Sequence, residues 1–153
     1  MHTARQIYEI APLGSLIRFA SGEPRPPERF TRKVRAWESE NGTGRLVERQ
    51  NGSGSYPPTF TLHLGDFGSE GIIVMVVRRL FSADSGKPFE ILETPKPGSV
   101  RVLTGIGDRE ELRYLAPDMA SAERWMADNR YTGMRTEIVG DPDPVSLPQA
   151  RAA

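Results

Sequence analysis

The longest uninterrupted apolar run in this chain is Gly71–Val77, closed at one end by Glu70 and at the other by Arg78. Fifteen glycines and 13 prolines fall mostly between such runs and act as punctuation. That spacing favours many short elements over a few long ones. It also excludes a helical membrane span, which needs about 20 consecutive apolar residues. The 153 residues suit one domain, and a hydrophobic share of 37% implies a thin core with much loop. The chain has no cysteine, which removes disulfide scaffolds, thiolate zinc sites and thiol catalysis from consideration. Met1-His2-Thr3-Ala4-Arg5 lacks the apolar stretch of a signal peptide, so a cytoplasmic protein is expected.

Read in order, Ile7–Ile10 and Leu16–Phe19 suggest two strands around a Pro12–Gly14 break. Pro24–Pro27 is a stiff lead-in to a helix over 27–41. In that helix Phe30, Val34 and Trp37 fall at i, i+4 and i+7, Pro27 opens the first turn and Asn41-Gly42 stops it. Strands follow at Gly44–Arg49 and Thr59–Leu64, the second with Phe60, Leu62 and Leu64 inward. Gly65–Gly71 reads as a turn-rich connection, and Ile72–Val77 as a central strand buried on both faces. Phe89–Glu93 and Ser99–Leu103, joined by a short proline-glycine link, read as a meander. Leu112–Leu115 has extended character, Asp118–Met126 opens a second helix, and Thr136–Val139 adds a last strand. The expected fold is α+β: two helices on a mostly antiparallel, strongly twisted sheet, in the order β-β-α-β-β-β-β-β-α-β. A partly closed barrel is the alternative. Residues 1–139 form the domain, and 140–153, marked by Pro142, Pro144 and Pro148, form a disordered tail.

The net charge is zero, but its distribution is uneven. Residues 1–60 carry nine Lys and Arg against six Asp and Glu; the remainder carries eleven against fourteen. Internal pairing or a solvated surface explains such a split as readily as a polyanion contact. The densest positive region is Arg25, Arg29, Arg32, Lys33 and Arg35, with Arg29, Arg32 and Lys33 on one helical face. Such a face suits phosphates or an acidic protein surface. Glu28, Glu38 and Glu40 dilute it, and dedicated nucleic-acid domains usually carry a clear positive excess.

Other candidate chemistry is sparser. His63 with Asp66 and Glu70 offers a metal or proton-sharing group, with Arg78 or Arg79 as helpers. Strand alternation, however, turns His63 away from Phe60, Leu62 and Leu64, toward solvent. Gly42-Thr43-Gly44 and Gly105-Ile106-Gly107 match neither a phosphate loop nor a dinucleotide fingerprint. Asp108, Glu110 and Glu111 form a carboxylate cluster without a recognisable pocket. No Gly-x-Ser-x-Gly elbow is present. No catalytic residue, cofactor or metal is therefore expected. The sequence reads best as a non-enzymatic binding or regulatory module that contacts a protein partner through the basic helix, with no membrane role. A nucleic-acid binder using Arg25–Arg35 is the alternative, and a hydrolytic or metal-dependent enzyme around His63 and Asp66 is the second.

Overall fold

The computed structural model describes residues 1–69, 72–105 and 109–140, with side chains described outside 66–69 and 72–76. The elements are α1 (Ala4–Ile10), β1 (Leu16–Phe19), α2 (Thr31–Ser39), β2 (Gly42–Gln50), β3 (Thr59–Ser69) and β4 (Ile72–Ser82). They continue with β5 (Phe89–Glu93), β6 (Val100–Thr104), β7 (Glu111–Ala116), α3 (Met119–Asp128) and β8 (Arg135–Ile138). Among the described residues the chain is α+β, with three helices on an eight-stranded antiparallel sheet that is not closed. Of the expected tail, 140–153, all but Gly140 lies outside the described residues.

The sheet runs β4-β3-β2-β7-β6-β8, and β1 pairs with both β2 and β5. Strand β2 is therefore the hub. One edge carries β3, while the other is shared by β1 over Gly42–Arg45 and by β7 at Glu48. The branch β4-β3-β2-β1-β5 curls until its two ends meet through aromatic rings. Phe60 and Phe81 are cross-strand partners on β3 and β4, and Phe19 and Phe89 are partners on β1 and β5. The two pairs pack with ring centroids 5.1 to 5.6 Å apart, two of the contacts edge-to-face, a geometry that aromatic quadrupoles favour. All four rings are buried. A second, smaller core lies where α3 covers β6 and β7: Ala122 seats against Val100, Val102 and Ala116, flanked by Trp125 and Met126.

Several elements differ from the sequence expectation. Ile7–Ile10 belongs to a helix, not a strand, which raises the helix count from two to three. The reason is local: Thr3 and Gln6 form a reciprocal capping box, Thr3 Oγ1 accepting from the Gln6 N–H at 3.2 Å and Gln6 Oε1 from the Thr3 N–H at 2.9 Å. Ala4, Ile7 and Ala11 then fall on one stripe and are fully buried. Helix α2 is shorter than 27–41. Phe30, its N-cap, is exposed rather than part of an inward stripe, and Gly42 already belongs to β2. Strand β3 continues through Gly65–Ser69, where a turn was expected. Strand β4 is an edge, paired only with β3 among the described residues, not a central strand. β5 and β6 are not a meander: β5 pairs with β1, while β6 lies between β7 and β8.

Helix α1 and the loop after it close one end of the curled branch, and their polar backbone needs partners there. Arg49 donates to the carbonyls of Tyr8 (3.3 Å) and Ala11 (2.8 Å), Arg101 Nε to that of Leu13 (2.8 Å), and Arg45 to that of Gly14 (2.6 Å). Burial pulls the Arg49 guanidinium below its ordinary pKa. Arg49→Met keeps the apolar stem but strands two carbonyls. It is expected to cost about 1–3 kcal/mol, measured as a lower urea midpoint with an unchanged slope.

Candidate functional site

Helix α2 stands on the rim of the fold with little apolar support, since only Val34 of its residues is buried. Its C-terminal half is tied down by polar contacts. Trp37 Nε1 donates to the Glu23 carbonyl at 2.7 Å, and Asn41 Nδ2 reaches the Trp37 carbonyl at 2.7 Å. Arg25 lies over the Trp37 ring at 5.5 Å while bonding Glu28 at 3.0 Å and Glu38 at 3.2 Å. Glu40 receives both Lys87 and Arg79, and Arg79 also donates to the Ser39 carbonyl. The Arg79 guanidinium lies above the rings of Phe19 and Phe81, so this clamp rests directly on the aromatic core.

The N-terminal half is built differently. Phe30 offers no side-chain cap, and no acidic residue occupies the first turn. Instead Arg32 and Lys33 sit there, where the positive end of the helix dipole disfavours cations by roughly 0.3–1 kcal/mol each. Phe30 is 40% exposed, with the Arg29 guanidinium 4.7 Å and the Lys33 ammonium 5.0 Å from its ring centre. Arg29, Arg32, Lys33 and Arg35 are all exposed and make no ion pair among the described residues. Arg25, the fifth cation expected here, is committed to Glu28 and Glu38.

The other candidates separate. His63 is half-buried on β3, and Glu70 lies outside the described residues, as does the side chain of Asp66. Arg78 bonds Glu111 at 2.5 Å, whereas Arg79 belongs to the Glu40 clamp. The carboxylate cluster does not converge: Glu110 binds Arg135, Glu111 binds Arg78 and Arg113, and Asp108 lies outside the described residues. Gly105 serves the backbone, at φ 85° with the Arg109 carbonyl where a Cβ would stand. No helix among the described residues is long and apolar enough to cross a membrane.

A protein family described as "Uncharacterised conserved protein UCP036055" matches residues 2–143. The chain belongs to this family. The family match spans every helix and strand of the described residues and the whole Arg25–Arg35 segment. No curated protein and no solved structure matches the chain.

The Glu40 clamp makes a pH prediction. The hydrogen bonds from Lys87 and then Arg79 hold the Glu40 carboxyl below its ordinary pKa. A depressed carboxyl stabilises the fold fully above its unfolded pKa and loses that contribution as pH falls through the folded value. Glu40→Gln is therefore expected to lower stability near neutral pH. The gap from the parent protein should close in acid, as followed by denaturant melts across the acid range.

Proposed function

We propose that this protein is a non-enzymatic binding module whose α2 face docks on an acidic surface of another protein. The carrying observation is the unequal use of cations. Arg5, Arg18, Arg45, Arg78, Arg79, Lys87, Arg101, Arg113 and Arg135 each meet a carboxylate, whereas Arg29, Arg32, Lys33 and Arg35 meet none among the described residues. Arg49, Lys96, Arg109, Arg124 and Arg130 share that lack but are dispersed along the chain, so it is the clustering of four such cations within seven residues that is distinctive. Two of them occupy the helix turn where their charge is disfavoured. The arrangement gives up helix stability for a solvent-facing positive patch.

An exposed aromatic ring between two cations fits a protein surface that offers carboxylates around an apolar spot. The short reach of the patch and the acidic C-terminal end of α2, with Glu38 and Glu40, suit a compact partner better than a long polyanion. Nucleic-acid binding through the same residues is the competing reading.

Arg32→Glu/Lys33→Glu separates function from folding, because the dipole argument predicts that this variant melts no lower than the parent. It should nonetheless lose a stoichiometric, salt-sensitive protein partner that the parent retains from native lysate. Equal retention by both proteins overturns the proposal. Recovery of nuclease-sensitive material in place of protein assigns the face to nucleic acid instead.

A further inference from the structure

The register of the sheet assembles a second feature, apart from the cationic residues of α2, that the sequence alone does not show. His63 on β3 is paired directly with Arg45 on β2 and directly with Arg78 on β4. Two guanidiniums and an imidazole thus stand in one cross-strand row, a few ångströms apart in the pairing direction. The row lines a cleft of about 600 Å³, a size ordinary for small-molecule sites.

The facing wall comes from β7, α3 and the segment after α3. Arg113 contributes a third guanidinium, held by Thr104 Oγ1 at 3.0 Å and by Glu111 at 3.3 Å. Trp125 and Tyr131 contribute apolar surface. Trp125 is sandwiched between Tyr114 and Tyr131, with interplanar angles of 4° and 12°, and Arg113 lies 4.3 Å from the Tyr131 ring centre. With both faces of Trp125 stacked, a bound molecule meets its ring edge.

Among the described residues, two carboxylates answer the three guanidiniums. Glu111 bridges Arg78 and Arg113, and Glu93 stands 3.8 Å from Arg45. Neither consumes the forks. Of its five N–H donors, Arg78 uses Nη1 on Glu111, and Arg45 uses Nη1 on the Gly14 carbonyl. Glu111 instead fixes the orientation of two guanidiniums, and a fork held in place loses less entropy when it grips an oxyanion.

We propose that this cleft binds the carboxylate or phosphate head of a small organic acid, with its apolar body against Trp125 and Tyr131. The site is independent of the α2 surface.

Benzoate and phenyl phosphate are suitable probes, with benzyl alcohol as the uncharged control, each titrated into the full chain and followed by amide shifts in ¹H–¹⁵N spectra. Saturable shifts centred on Arg45, His63, Arg78 and Trp125, with the alcohol much weaker, are expected. Binding of one probe alone assigns the head group as carboxylate or phosphate. Arg78→Gln should weaken binding about tenfold, the loss of one charge-assisted contact, whereas Arg32→Gln should leave it unchanged. The same spectra report whether Arg78→Gln is folded, and Arg113→Gln replaces it if it is not. Absence of saturable shifts, equal binding of the alcohol, or a folded Arg78→Gln or Arg113→Gln that binds like the parent overturns the proposal.

Discussion

The fold depends on how three arginines close the backbone of the segment from Tyr8 to Gly14. Helix α1 and its loop bring Ala4, Ile7, Ala11 and Leu13 under the phenylalanine cluster, and that burial also carries main-chain carbonyls away from water. A buried carbonyl without a donor is costly, and hydrogen bonds from charged donors are worth about 1.5–3 kcal/mol each. Arg45 and Arg49 come from β2, and Arg101 from β6. The hub strand and the second branch of the sheet therefore hold the same peptide segment. This seam joins the two branches more extensively than their single strand pairing, Glu48 with Glu111.

The same accounting explains a neutral chain with uneven charge. Arg5, Arg18 and Arg45 from the basic first part pair with Asp84, Glu90 and Glu93 from the acidic remainder, so part of the asymmetry is internal pairing across strands. Exposed pairs of this kind each contribute about 0–1 kcal/mol, too little to determine the fold. Their consequence is positional, because cations left outside the scheme become visible. The α2 patch is one such group, while the Arg45–His63–Arg78 row is partly matched and lines a concavity.

Locally encoded features were legible in the sequence. Helix α3 begins where expected because Asp118 accepts from the Ser121 N–H at 2.7 Å, a cap formed within one turn. Trp37 and Val34 identify α2 by spacing, and Phe60 and Leu62 identify the inner face of β3. Helix α1 was not: the apolar content of Ile7–Ile10 reads as a strand, and the Thr3-x-x-Gln6 capping box that makes this segment helical lies outside that run. The orientation of His63, away from Phe60 and Leu62, follows from alternation. That this face curls into a cleft wall does not.

The sequence by itself determined the α+β class, the positions of most strands, two of the three helices among the described residues and the cluster of cations near the start of α2. Each rests on interactions spanning a few residues, such as caps, turns and alternation. Only the tertiary structure decided that β4 is an edge, that β5 pairs with β1, and that Arg45, His63 and Arg78 form one row. Those depend on which strands meet and in what register, and register is set by packing between residues distant in the chain. The phenylalanine pairs 60/81 and 19/89 show the reason: each ring is an ordinary apolar residue in its own strand, and that the two pairs meet in one buried cluster depends on strands distant in the chain.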